Sequence, residues 1–205
     1  MLNRAARVGV VPTICVYCAS SSGIDERYLA LADEVGTAIA RRGWQLVSGG
    51  GSVSMMGAVA RAVRRGGGHT IGVIPQALVA MEVADHDADE LIITDDMRAR
   101  KGIMDDRADA FLALPGGIGT LEELMEVWTA RCLGMHDKPV VGLDPWGDFA
   151  LLREQVGHWQ QQGFVRDEAV AELVWTTKVE QALDLIADKL AAAVRRPPSR
   201  GGIEA

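Results

Sequence analysis

Glu123 closes the run Leu114-Pro115-Gly116-Gly117-Ile118-Gly119-Thr120-Leu121-Glu122-Glu123, which joins an apolar strand to a helix. Glycines such as Gly116, Gly117 and Gly119 let backbone N–H groups come close to an anion. The first turn of a following helix adds unpaired donors at the positive end of its dipole. Thr120 contributes a hydroxyl at the helix start. A carboxylate one turn inside such a start could act on a substrate whose phosphate rests on that turn. The spacing of Thr120 and Glu123 is also that of a capping box, in which the glutamate reaches back for stability alone. Spacing leaves both roles open. On a helical wheel Glu123 lies away from the seam of Leu121, Leu124, Met125, Trp128 and Cys132, so the core does not claim it. Glu122 and Glu126 read as ordinary first-turn and surface acids.

A second set of charged side chains lies upstream in Asp95-Asp96-Met97-Arg98-Ala99-Arg100-Lys101-Gly102-Ile103-Met104-Asp105. The acids make an N-cap and the rest a helix. At helical spacing Arg100 falls among Met97, Ile103 and Met104 on the inward side, while Arg98 falls opposite, near Asp105. An inward arginine needs an anionic or stacked partner, and Arg100 is therefore the candidate of the two. Snorkelling, or a bridge to a core carboxylate, is the structural alternative. Lys101 divides evenly between a functional and a rim position.

Other tempting residues read as structural. Cys15 and Cys18 lie three apart in an expected strand, which points them to opposite faces, and no second cysteine pair completes a zinc site. Asp85-His86-Asp87-Ala88-Asp89 reads as solvated acids in a polar loop rather than as metal ligands. No metal site is assigned. Trp44, Trp128 and Trp159 read as core.

These candidates need elements to position them, and apolar strand-like and amphipathic helix-like segments alternate along the chain. Strands are expected near 13–18, 44–48, 69–74, 90–94, 110–114, 139–143 and 172–176. Helices are expected near 26–42, 53–65, 97–108, 120–133, 148–162 and 178–194. The pattern predicts an α/β fold, Rossmann-like and doubly wound, with a mainly parallel sheet and helices on both faces. Residues 13–194 form one such domain, between flexible tails at 1–12 and 195–205. Three strand-to-helix junctions are rich in small residues: Cys18 to Gly23, including Ser20; Ser48 to Gly57, including Gly49, Gly50, Gly51 and Met56; and the Pro115 turn. All three open on one edge of the sheet, giving a single donor-rich crevice that suits a nucleotide. Neither G-x-G-x-x-G nor a P-loop is completed.

With 205 residues, 48% of them apolar, and a formal net charge of −7, the chain has ample material for one core but no basic face for nucleic acid or an anionic membrane. An anionic ligand must be held locally. No apolar stretch reaches the roughly 18 residues of a membrane helix, the first residues lack a signal peptide's apolar region, and three cysteines cannot all pair within the chain. A cytoplasmic location is expected.

Taken together these motifs resemble one family, the LOG-like proteins, which are cytokinin riboside 5′-monophosphate phosphoribohydrolases long labelled "possible lysine decarboxylases". Their P-G-G-x-G-T-x-x-E is present as Pro115 to Glu123, and their M-x-x-R-K as Met97 to Lys101. Further matches are Gly49-Gly50-Gly51-Ser52-Val53, running to Met56-Gly57, and Leu133 to Pro139. The resemblance extends from about Ile14 to Ala193. It implies a homodimer with the site near the interface, no cofactor, and hydrolysis of the N-glycosidic bond of a nucleoside 5′-monophosphate. It assigns catalysis to Arg100 and Glu123 and substrate binding to Ser20, Gly49, Gly50, Gly51, Met56, Gly57, Met97, Lys101, Pro115, Gly116, Gly117, Gly119 and Thr120. The resemblance thereby favours the catalytic role of Glu123. AMP itself, as in purine salvage, and a non-catalytic carrier of a nucleotide or of molybdenum cofactor are the alternatives. One departure is Ser54-Met55, where relatives often carry glycine and leucine. A lysine decarboxylase would need a Schiff-base lysine, and Lys101, Lys138, Lys178 and Lys189 sit in no recognisable cofactor motif.

Overall fold

The structure, a computed structural model, describes residues 11–79, 81 and 84–195. The order of elements is β1 (Thr13–Tyr17), α1 (Glu26–Arg41), β2 (Gln45–Ser48), α2 (Ser54–Arg65), β3 (Thr70–Pro75), α3 (Gln76–Val79), β4 (Glu90–Thr94), α4 (Met97–Arg107), β5 (Ala110–Ala113), α5 (Ile118–Cys132), β6 (Val140–Leu143), α6 (Ala150–Gln161), α7 (Asp167–Ala171), β7 (Leu173–Thr176) and α8 (Val179–Arg195). The seven strands form one sheet in the order β4-β3-β2-β1-β5-β6-β7. All neighbouring pairs are parallel, with Cys15 of β1 opposite Val47 on one side and Phe111 on the other. The Rossmann-like, doubly wound expectation holds. Strand order turns back between β1 and β5, the place where ligands bind in open sheets of this kind.

Both sheet faces are covered, which is why β1 is buried along its whole length. On one face Ile14, Val16, Leu46 and Leu112 pack with Val35 and Ile39 of α1, Val59 and Val63 of α2, and Leu183 and Ile186 of α8. On the other, Tyr17, Val47, Phe111 and Val140 pack with Met104 of α4, Leu124, Val127 and Trp128 of α5, and Val156 of α6. Burying each large side chain contributes about 1.5–3 kcal/mol. Cys18 belongs to the first cluster and Cys15 to the second, as alternation along a strand requires. Helices α1 and α2 approach closely at Gly36, where a Cβ would lie 2.4 Å from the Val59 carbonyl oxygen.

Three details depart from the sequence expectation. Val127, not Met125, takes the buried place on α5. The acids at 85–89 are not simply solvated: Asp85 is 5% exposed and receives two hydrogen bonds from Arg64, at 2.8 and 3.1 Å. Asp89 accepts from the backbone N–H and the hydroxyl of Thr70. Among the described residues no cluster of His, Cys, Asp and Glu could hold a metal ion, and no helix is long and apolar enough to cross a membrane. Helices α3 and α7 were not expected; at four and five residues they are too short to leave a periodic signal. The expected tails lie almost wholly outside the described residues.

Candidate active site

A cavity of about 660 Å³ opens where the sheet order turns back, at the C-terminal ends of β1 and β5. All three small-residue junctions reach it. Cys18, Ala19, Ser20 and Ser21 come from the first, Gly49, Met55 and Met56 from the second, and Pro115 to Thr120 from the third. Arg100 and Glu123 line it as well.

The Pro115 turn is built around Thr120. The helix begins at Ile118 with Gly117 as its N-cap, and among the described residues no side chain caps it. Thr120 is therefore the third residue of α5 rather than its cap, and the capping-box geometry considered for Thr120 and Glu123 is not what the helix start adopts. The Thr120 side chain is 4% exposed and folds under Gly116, where a Cβ would come within 2.1 Å of its hydroxyl oxygen. Only glycine fits there. A helix start without a side-chain cap, facing a cavity, offers its first N–H groups and the partial positive charge of its dipole to that space.

Arg100 reaches the cavity from α4, whose start is fixed by Asp96 accepting from the Ala99 N–H at 2.8 Å. Its side chain is 5% exposed, as its inward position on the wheel implied, whereas Arg98 is exposed. The guanidinium is stapled to the sheet edge: Nε donates to the Val73 carbonyl at 3.1 Å and Nη2 to the Gly49 carbonyl at 2.9 Å. These bonds fix the plane of the charged fork and aim it at the cavity. They also explain Gly49, where a Cβ would fall 1.8 Å from Nη2. Met97, expected on the buried side, is 42% exposed at the cavity mouth, with its sulfur 3.6 Å from Nη1.

Glu123 sits one turn into α5, half-buried in the cavity wall. Its negative charge is felt by the groups beneath it. The Cys18 thiol is pushed well up, mainly by burial and then by Glu123, and Tyr17 is raised by burial, Cys15 and Glu123. Both groups stay protonated and neutral, so the carboxylate faces no nucleophilic thiolate.

Of the residues expected to bind substrate, Ser20, Gly49, Met56, Met97, Pro115, Gly116, Gly117, Gly119 and Thr120 line the cavity. Gly50, Gly51, Gly57 and Lys101 do not. Gly50 turns the chain at φ 73° against β3, Gly51 bridges to Ala84, and Gly57 leaves room for the Ser52 carbonyl. The Lys101 ammonium lies between Glu122 and Glu126. Sequence reasoning missed Ile24, Tyr28 and Asp148, where the Tyr28 hydroxyl donates to Asp148 Oδ1 at 2.6 Å. No motif marks them, because helix α1 and segments distant in sequence bring them together. None of the chain's four lysines, at 101, 138, 178 and 189, lines the cavity.

Fold and cavity together define a Rossmann-like α/β protein whose crevice brings a glycine-rich helix start, a fixed arginine and a carboxylate together. A family model described as "possible lysine decarboxylase" matches residues 56–186. A protein of Mycobacterium tuberculosis named cytokinin riboside 5′-monophosphate phosphoribohydrolase is 57% identical over 83% of this chain and 91% of its own length. The Arabidopsis thaliana protein named cytokinin riboside 5′-monophosphate phosphoribohydrolase LOG1 is 44% identical over 76% of this chain and 73% of its own. The chain belongs to the LOG family. Among solved structures it is similar to the molybdenum cofactor carrier protein of Chlamydomonas reinhardtii, with a TM-score of 0.68 and 26% identity over 89% of this chain and 99% of that one.

Proposed function

We propose that the protein hydrolyses the N-glycosidic bond of nucleoside 5′-monophosphates, N6-modified adenosine monophosphates and AMP among them, to free base and ribose 5-phosphate. The observation that carries this reading is the convergence of Arg100, Glu123 and the start of α5 on one cavity. The names of relatives at 44–57% identity support the same class of reaction.

In this mechanism the 5′-phosphate rests on the first N–H groups of α5 and on the Thr120 hydroxyl. The phosphate is remote from the reacting carbon, so its binding energy serves to hold C1′ in place. The bond from C1′ to the base breaks with its electron pair moving to the base, leaving an oxocarbenium-like sugar. Glu123 faces that positive charge and either stabilises it or takes the proton of the water that adds to C1′; that proton ends on the base nitrogen that received the electron pair. Arg100, anchored through the Gly49 and Val73 carbonyls, orients the substrate. The volume of about 660 Å³ lies within the usual range for small-molecule sites and leaves space for a base with a substituent. A homodimer belongs to this reading. Met97 and Ile118, 42% and 88% exposed beside the mouth, are apolar surface that a second copy would cover.

A carrier of a phosphorylated cofactor is the second reading, favoured by the similarity to the Chlamydomonas protein. Purified protein and its Glu123→Gln variant, incubated with AMP and with N6-isopentenyl-AMP, separate the two by chromatography of the free base. Base is expected from the unmutated protein only. The variant is expected to turn over about 10³-fold more slowly while still binding nucleotide. Equal turnover by the variant sinks the role of Glu123. Nucleotide binding without release by the unmutated protein supports the carrier.

A further inference from the structure

Lys101 follows Arg100 on α4, and Glu122 precedes Glu123 on α5. The Lys101 ammonium makes an ion pair with Glu122 and another, at 2.7 Å, with Glu126. Helix α4 packs onto strands β1 to β4, whereas α5 packs onto β1 and β5, so this lysine is a direct polar tie between the two helices. A second tie holds the far end of α4: Lys138 Nζ donates to the Asp105 carbonyl at 2.6 Å and contacts its carboxylate at 3.0 Å. Glu122 and Glu126 are one turn apart on the same helix face, where two like charges repel unless a cation lies between them.

The Lys101 side chain is 19% exposed and, like Glu126, lies outside the cavity lining, which Glu122 joins; the two glutamates are 51% and 53% exposed. Half-exposed ion pairs contribute little to folding. Their geometric consequence is larger, because a misplacement of about 1 Å between reacting groups can cost about 10²-fold in rate. Resting on the phosphoribohydrolase reading, we infer that Lys101 is a positioning residue whose ammonium, held between Glu122 and Glu126, sets the separation of Arg100 from Glu123 across the cavity.

The test compares the unmutated protein, Lys101→Met, the double variant Glu122→Gln with Glu126→Gln, and the triple combination, measuring kcat, KM for the nucleotide, inorganic phosphate binding and Tm. Lys101→Met is expected to lower kcat about tenfold or more, with phosphate binding kept and Tm moved by less than about 4 °C. The double variant should lose a similar factor, and the triple variant no more than either, since the three residues act as one unit. Three results overturn the clamp: unchanged kcat in the double variant, losses that multiply in the triple, or a Lys101→Met defect confined to KM, which makes Lys101 a substrate contact. Lack of turnover by the unmutated protein despite nucleotide binding overturns the phosphoribohydrolase reading together with this role, so the two failures are distinguishable.

Discussion

The starts of α4 and α5 stand on neighbouring sides of the same cavity and are finished in opposite ways. At α4 the chain supplies its own anion: the Asp96 carboxylate accepts from the Ala99 N–H. At α5 the cap is Gly117, and among the described residues no side chain performs that task. The same division recurs elsewhere on this edge of the sheet. Asp25 caps α1, accepting from the Arg27 N–H at 2.9 Å, whereas α2 begins after Val53 with no side-chain cap among the described residues. A helix start that the protein satisfies internally is a structural element; one left without a side-chain cap, beside glycines, is suited to an outside acceptor. The difference separates α4, which carries a side chain into the site, from α5, which is itself part of the site.

The comparison can be broken at several points. The largest effect is expected from Gly49→Ala. The three atoms nearest the new methyl group all belong to the Arg100 guanidinium rather than to backbone, so folding should survive, but the guanidinium must leave the Gly49 carbonyl. We expect kcat/KM to fall about 10²-fold with Tm nearly unchanged; activity at the unmutated level would show that the anchored position of Arg100 is immaterial. Gly117→Asp is the sharper probe, because it gives α5 the cap that α4 already has. A Cβ at Gly117 meets nothing within 4 Å, and its φ of −91° suits any residue. The variant should be more stable by about 0.5–1 kcal/mol and weaker for phosphate by about tenfold, since its own carboxylate competes for the same donors. Denaturant melts and phosphate titrations measure both. Equal phosphate affinity would sink the contrast between the two helix starts.

The reverse experiment, Asp96→Ala, removes the internal anion from α4. It should cost about 1 kcal/mol of stability, or about 3 °C in Tm, without creating a phosphate site, because Ala99 is not flanked by a glycine turn. The smallest effect is expected at Ser54. It holds a left-handed φ of 52°, and its hydroxyl donates to the Ser21 carbonyl at 2.6 Å, tying the second junction to the first. Glycine there relieves a strain of about 1 kcal/mol and loses a hydrogen bond worth about the same. A change in stability beyond about 1 kcal/mol in either direction would show that one of the two dominates. Serine here sits at a backbone angle that glycine adopts freely.

Much of the molecule was legible because its signals are local. β1, β4, α4 and α8 fall within a residue or two of their expected bounds, and the wheel placed Arg100 inward and Arg98 outward using nothing beyond helical spacing. The misreadings share a cause in contacts distant along the chain. Asp85, in a run of acids that suggests a solvated loop, is instead buried against Arg64 from another element. Met97 was read as buried because its spacing matches Met104, yet it lies over the cavity mouth where no element covers it fully. The helix start was expected at Thr120, since glycines carry no helical signal, and the two-residue shift to Ile118 decides what Thr120 does.

The sequence by itself determined the alternation of strands and helices, the glycine-rich turns, the charged residues beside them and the family they resemble, since each is a matter of residue type and short-range spacing. Only the tertiary structure decided which of those residues share a cavity. Arg100 points where it does because the Gly49 and Val73 carbonyls hold it, and those belong to junctions and strands far away in sequence. Gly50, Gly51, Gly57 and Lys101 stand behind the wall for the same reason. A motif records which residues occur together; the parallel sheet, by bringing β1 beside β5, decides which of them face the same space.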